Sequence, residues 1–312
     1  MILCCGEALI DMLPRVSTEG EACFAPYAGG AVFNTAIALG RLGAPAGFFS
    51  GVSTDMLGEI LTGTLAASNV DTSLLARSAR PTTVAFVKLT NGQASYAFYD
   101  EATAGRMLAE SDLPVLGDGV EALFFGGISL VNDPAASSYE ALLQRESGRR
   151  LIMLDPNIRP GFIEGREEDY RARITRMIAA SDVVKLSDED LHWLEGKGDT
   201  AALAAGILAR GPALVLITEG AEGARAFTAT GSRQRPAGKV TVVDTVGAGD
   251  TFNAGFLAGL AARGALSRAA LKALSDADLD ACLDLGIRAA GVTVSRAGAN
   301  PPWAHDLEGP TA

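Results

Sequence analysis

Short apolar runs alternate with amphipathic, helix-like runs along almost the whole chain, and this rhythm constrains the fold more than any other feature. The strand-like runs are residues 2–5, 48–52, 122–125, 151–154, 183–186 and 213–218. Between them lie helix-like segments at 34–42, 55–68, 134–148, 167–179, 199–209 and 250–262. A strand followed by a helix cannot pair with the next strand through a tight hairpin. It returns by a crossover, which lays the helix on a face of a mainly parallel sheet. Strands covered on both faces read as continuous apolar runs rather than alternating ones, as these do. The expected fold is therefore α/β: a Rossmann-type, mostly parallel sheet with helices on both faces. With 312 residues, 48% of them hydrophobic, one large domain over 1–312 is the expectation.

One segment breaks the rhythm. Residues 82–89 and 94–99 read as two strands around Asn91-Gly92, a strong signal for a two-residue hairpin turn. Residues 12–27 also lack helical periodicity. Two readings fit: an ordinary edge hairpin, or a small β-sheet lid over the mouth of the main sheet, built from about 12–28 and 81–101.

Several function classes are disfavoured. The net charge is −11, with 26 Lys+Arg against 37 Asp+Glu, and there is no basic run to hold nucleic acid. No stretch approaches the ~18–20 apolar residues of a membrane span. The opening Met-Ile-Leu-Cys-Cys-Gly-Glu reads as a first strand rather than a signal peptide, so a cytoplasmic location is expected. Cys4, Cys5, Cys23 and Cys282 form no CxxC pair and are expected to be buried thiols. His192 and His305 lack metal-ligand spacing.

Two constellations carry chemistry. In Asp244-Thr245-Val246-Gly247-Ala248-Gly249-Asp250, small residues open an apolar helical run. Their backbone N–H groups can approach an anion, and the positive end of the helix points at it. Asp250, in the first turn, could accept a proton from an attacking hydroxyl. No Gly-Lys-Ser/Thr pair follows, so this is not the common P-loop. Taken alone, the turn fits a tight strand-to-helix connection equally well. The second constellation joins Asp11, just past an apolar run, to Gly29, Gly30 and Asn34 at the start of a helix. Carboxylate, amide and bare backbone are the groups that bind sugar hydroxyls.

Together these residues resemble the PfkB (ribokinase-like) family of sugar and nucleoside kinases. Residues 29–43 look like its N-terminal signature and 244–256 like its C-terminal one. Asp155-Pro156-Asn157-Ile158-Arg159, Lys185-Leu186-Ser187-Asp188-Glu189-Asp190 and Thr218-Glu219-Gly220-Ala221-Glu222-Gly223 stand where the family has recognisable blocks. The resemblance implies a ribokinase-like fold with a β lid, and ATP with Mg²⁺. It implies Asp250 as catalytic base and the amides of Gly247, Ala248, Gly249 and Asp250 as an anion hole. Asn157 and Arg159 would lie near the transferred phosphate, and Asp11, Gly29, Gly30 and Asn34 would bind substrate, with Phe98 and Arg106 beside them. Lys185, Ser187, Thr218, Gly220, Gly223 and Gly249 would face the nucleotide. Asp244, the backbone of Val246 and the turn at 297–299 match the region where many members hold a monovalent cation such as K⁺. The family's Asn-x-x-Glu magnesium motif reads Ser187 and Asp190 here, with Glu189 as a possible substitute ligand.

Within the family the opening residues 6–11, the run 96–99 and the run 185–189 look most like fructokinases, implying D-fructose phosphorylated to fructose 6-phosphate. In the similar block of 2-keto-3-deoxygluconate kinases an Arg occupies the position of Asp100, suited to a substrate carboxylate. Ribokinase, 2-keto-3-deoxygluconate kinase and nucleoside kinase activities are the alternatives, and a non-catalytic sugar- or nucleotide-binding member is a reading of a different class. Lids in this family can pair, so the resemblance is compatible with either a monomer or a homodimer.

Overall fold

The computed structural model describes residues 1–90 and 93–308, without the side chains of 88–90 and 93–96. In chain order the strands are β1 (Ile2–Cys5), β2 (Leu9–Val16), β3 (Ala22–Gly29), β4 (Ala46–Phe49), β5 (Gly51–Ser53), β6 (Val70–Asp71), β7 (Ala76–Ser78), β8 (Val84–Thr90), β9 (Gln93–Tyr99), β10 (Ala122–Gly126), β11 (Leu151–Asp155), β12 (Val183–Ser187), β13 (Leu214–Thr218), β14 (Ala224–Thr228) and β15 (Gly231–Arg235). The helices are α1 (Ala31–Arg41), α2 (Met56–Ala67), α3 (Ala135–Glu146), α4 (Pro160–Ile163), α5 (Glu167–Ala179), α6 (Asp188–Glu195), α7 (Thr200–Leu208), α8 (Ala248–Ala262), α9 (Arg268–Lys272) and α10 (Asp276–Val294).

Nine strands form the main sheet in the order β15-β14-β13-β12-β11-β10-β1-β4-β6. From β6 to β13 every pair is parallel, as the crossover rhythm requires. β14 and β15 add an antiparallel edge that the rhythm does not reveal. On β1, Ile2 and Cys4 pack into one core and Leu3 and Cys5 into the other, all with no exposed surface. The first core is filled from α1, α8 and α10 and the second from α3, α5, α6 and α7. Each fully buried Phe or Leu contributes about 1.5–3 kcal/mol relative to exposure, so this double layer fixes the strand ends firmly.

α10 is the long element missing from the alternation. Gly255 and Gly259 let it approach α8: a Cβ on Gly255 would lie 2.7 Å from the Gly286 Cα, and one on Gly259 3.0 Å from the Cys282 Cα. The expected strand over 48–52 is really two: β4 in the main sheet, and β5 paired with β7 in a separate ribbon. Cys23 is exposed on β3, unlike the other three cysteines, because it sits on an edge strand outside both cores.

A second sheet stands apart, four strands in the order β3-β2-β8-β9. Asp11 registers with Ala85, and Ala85 with Phe98, so Asp11 and Phe98 share one face of it. The Asn91-Gly92 turn lies outside the described residues. Among the described residues no helix is long and apolar enough to cross a membrane.

Candidate active site

Parallel strands end on the same side, so the segments leaving β1, β11, β12 and β13 converge at one edge of the sheet. α8 begins there. Its N-cap, Gly247, has a φ of 77°, a conformation that favours glycine, and a Cβ would lie 2.8 Å from that of Ala299. No side chain caps α8; the Ala248 N–H donates to the Thr245 carbonyl at 3.3 Å, and no side-chain acceptor covers the positive end of the helix dipole.

Asp250 is buried in the first turn of α8. Its Oδ2 accepts a hydrogen bond from Asn34 Nδ2 at 2.9 Å, and its main-chain carbonyl accepts one from the Thr35 hydroxyl at 3.2 Å. Burial pushes its carboxyl up to about 7; the charges of Asp155 and Glu7 add to the rise, while Asn34 and Lys185 oppose it. A carboxylate poised near neutrality can take a proton from a hydroxyl and release it again.

Beneath the helix start lies a buried polar cluster. Lys185 Nζ is 3.0 Å from Asp155 Oδ2, and the same oxygen accepts from Asn253 Nδ2 at 2.7 Å. Asp155 Oδ1 accepts the Asn157 N–H at 3.1 Å. A Cβ on Gly249 would be 3.2 Å from Lys185 Nζ, so only glycine leaves the ammonium this close to the helix end. Helix dipole and ammonium thus combine at one spot, an arrangement suited to a phosphate. Arg159 is not drawn in. It is exposed, and its Nη1 donates to the Ile158 carbonyl at 3.0 Å.

A cavity of about 90 Å³ is lined by Glu7, Thr83, Phe98, Asp100, Arg106 and Asn132 among others. Phe98 packs edge-on against Phe162, with ring centres 4.7 Å apart. Asp100 Oδ2 accepts from Arg106 Nη1 at 3.0 Å and from Asn132 Nδ2 at 3.1 Å. Arg106 is therefore already paired. Asp11 approaches from the small sheet: a Cβ on Gly29 would lie 2.6 Å from its Oδ2, and burial pushes its carboxyl up to about 6.

The turn after β13 is built on glycines at φ 53° (Gly220) and 96° (Gly223), closed by the Glu219 N–H on the Gly223 carbonyl at 2.8 Å. Thr218 ends β13 directly before it. Asp244 links two loops: Oδ1 accepts the Val246 N–H at 3.0 Å and Oδ2 the Gly298 N–H at 2.9 Å.

Comparison with known proteins matches this architecture along its length. The profile of the pfkB family carbohydrate kinases fits residues 1–306. The chain belongs to the PfkB carbohydrate kinase family. A fructokinase of Rhizobium leguminosarum bv. trifolii is 64% identical over 260 residues, covering 83% of this chain and 79% of the relative. A structure of the Xylella fastidiosa fructokinase with bound ATP superposes with a TM-score of 0.88 at 28% identity, covering 98% of this chain and 97% of that one. A double mutant of the Vibrio cholerae O395 fructokinase, in fructose, ADP and potassium ion bound form, gives 0.82 at 26% identity, over 96% and 93% of the two chains.

In this PfkB kinase, Ser187 and Asp190, at the positions of the magnesium motif, sit at the start of α6. They form a capping box on α6: Ser187 Oγ accepts the Asp190 N–H at 3.0 Å, and Asp190 Oδ2 accepts the Ser187 N–H at 3.4 Å. Asp190 Oδ1 takes the Ile158 N–H at 3.1 Å. Glu189 is exposed, and among the described residues no group of three or more His, Cys, Asp or Glu is arranged to hold a metal ion. The nearby Asp155 carries an ammonium. The family motif implies contact with Mg²⁺ through water rather than direct ligation, and the capping positions of Ser187 and Asp190 are compatible with that. Glu7, Thr35, Asp155, Asn253 and Asn132 have no role assigned from the sequence, although Asp155 opens one of the family-like blocks. Their only local signal is a polar residue at the end of an apolar run, next to Asn34 or one turn from Asp250.

Proposed function

We propose that this PfkB kinase transfers the γ-phosphoryl group of ATP to the 6-hydroxyl of D-fructose, giving fructose 6-phosphate and ADP. The observation that carries the reading is Asp250, buried at an uncapped helix start, bonded to Asn34 and close to neutrality in its proton affinity. As the sugar oxygen bonds to phosphorus, Asp250 takes its proton and the bond to the ADP oxygen breaks. The N–H groups of Gly247, Ala248, Gly249 and Asp250 hold the charge on the moving phosphoryl, with Lys185 beside them. Positioning and electrostatics supply most of the acceleration in such transfers.

The choice of a neutral sugar follows from charge. Glu7 and Asp100 line the cavity proposed for the acceptor, while Arg106 is committed to Asp100 and Lys185 to Asp155. A carboxylate or phosphate on the acceptor would meet net negative potential. The similarity to the Rhizobium fructokinase supports fructose in particular. Asp11, Gly29, Gly30, Asn34 and Phe98 line the sugar side in this reading, and Thr218, Gly220 and Gly223 the nucleotide side. The whole chain acts as a single kinase domain with the four-stranded sheet as its lid. Asp244, Val246 and the turn at 297–299 would hold a monovalent cation, which would brace the anion hole electrostatically.

A coupled ADP-release assay with fructose, ribose, 2-keto-3-deoxygluconate, adenosine and fructose 6-phosphate tests the proposal. Fructose should give the highest kcat/KM. A higher value with any other acceptor overturns the sugar assignment, and binding with no ADP release from any of them overturns catalysis.

A further inference from the structure

We propose that Glu7 is a positioning residue for the transfer, capping α1 from outside that helix and so setting the contact between Asn34 and Asp250. This rests on the kinase reading above. α1 has no cap of its own: its N-cap is Gly30, and its first turn contains no acidic residue. Glu7 supplies the missing acceptor, Oε1 taking the Ala31 N–H at 2.9 Å. Its other oxygen takes the Ser129 N–H at 3.2 Å, in the wall of the sugar cavity. One carboxylate therefore ties the end of β1, the start of α1 and the segment after β10.

The surroundings are shaped to accept it. A Cβ on Gly127, at φ 68°, would fall 2.1 Å from Glu7 Oε1, and one on Gly30, at φ 113°, 2.9 Å from the Glu7 carbonyl. Both glycines have φ in the left-handed region and face Glu7. Gly30, read in the sequence as a sugar contact, is thereby also the residue that lets Glu7 dock. Upstream, the buried Tyr139 hydroxyl donates to the Gly6 carbonyl at 3.0 Å, fixing the backbone from which Glu7 projects. One turn into α1, Asn34 and Thr35 make the two hydrogen bonds that join α1 to Asp250. The connection runs Ser129, Glu7, Ala31, Asn34, Asp250, from cavity wall to base. A carboxylate at a helix start also favours the dipole of α1.

The test compares E7Q, A31P, N34A and the double variant E7Q/N34A, each checked for cooperative thermal unfolding and assayed with fructose and ATP. Gln presents one acceptor and one donor, so it satisfies only one of the two N–H groups. A31P removes the N–H at N1, where proline suits a helix, while the Glu7 charge stays. E7Q should lower kcat/KM for fructose by roughly 10–100-fold, as loss of an orienting outer contact does, with KM for ATP within about twofold of wild type. A31P should lower it by about 10-fold. In the N34A background E7Q should cost less than about threefold, because the two residues act in series. Wild-type kcat/KM in E7Q overturns the proposal. So does an impaired E7Q beside a normal A31P, which would mean that Glu7 touches the sugar directly. Full multiplication of E7Q and N34A overturns it as well, since a merely structural role would act independently. If E7Q does not fold, A31P decides. No fructose turnover by the wild type would refute the fructose assignment instead, and no ADP release with any acceptor would refute the kinase reading.

Discussion

The two sides of Asp250 are built differently. On the side proposed for the phosphoryl group the polar groups are buried and already paired: Lys185 with Asp155, and Asn253 with the same carboxylate, under the first turn of a helix packed against α1 and α10. On the side proposed for the sugar the groups are half-exposed, and several come from the separate four-stranded sheet: Asp11 from β2 and Phe98 from β9, with Asp100, Arg106 and Asn132 on connecting segments. In the proposed reading, transfer chemistry sits among buried, paired groups, while acceptor choice sits where a residue can change without breaking the core.

Asp250→Asn tests the rigid side with the largest expected effect: a fall in kcat of ~10²–10⁴, with fructose binding retained. Rapid-quench measurement of phosphoryl transfer reads it, and near-normal turnover would break the comparison. Next comes Lys185→Met. Removing one partner of a buried ion pair strands the Asp155 charge, so stability should fall by about 3–5 kcal/mol, and kcat should fall together with it. Denaturant unfolding reads the first and steady-state kinetics the second. Stability within 1 kcal/mol of wild type, read on the same scale, would show that the pair is not a packed unit.

The pH profile sharpens the same side. The base must be ionised to act, so kcat/KM for fructose should rise with pH through about 7, the value to which burial pushes Asp250. The acid limb should vanish in Asp250→Asn. The stability effect has the opposite sign. A carboxyl whose folded-state pKa is raised stabilises the fold below the ordinary carboxylate range, and that contribution is lost as pH rises through about 7. Thermal unfolding of wild type against Asp250→Asn should therefore favour the variant increasingly between pH 5 and pH 8 on this linkage.

Smaller effects are expected on the open side. Asp100→Asn should free Arg106, raise KM for fructose by about 3–10-fold and improve turnover of a sugar acid by a similar factor, since the discrimination is a difference between part-exposed charges. A substrate panel reads it, and unchanged selectivity would mean that the Asp100–Arg106 pair does not face the acceptor. Smallest is Asp244→Ala, expected to reduce any stimulation by KCl by about twofold to fivefold, in line with loosening a helix-end loop.

Much of this was legible locally. The alternation of runs gave the parallel sheet because burial on both faces removes the polar alternation. Gly247 and Gly30 stand out because small residues opening a helix leave the backbone accessible, and Asp250 because it follows such a turn at a helix start; the structure adds that both glycines have positive φ. α10 was missed although Leu279, Cys282, Leu283 and Gly286 show its buried stripe, because its acidic first turns mask the pattern. The antiparallel β14–β15 edge was missed because β15, Gly-Ser-Arg-Gln-Arg, is polar and half-exposed.

The pairings that give those residues their roles lay beyond local reading. That Arg106 is held by Asp100, that Asp190 caps α6, that Lys185 reaches the start of α8 and that Glu7 caps a helix 24 residues away depend on strand ends meeting at one edge of the sheet. The sequence by itself determined the element types, the helix starts and the residues able to hold a phosphate and a proton, because these follow from short-range sterics and burial. Only the tertiary structure decided which charges are free and which are paired, because ion pairing and desolvation depend on neighbours that are distant along the chain.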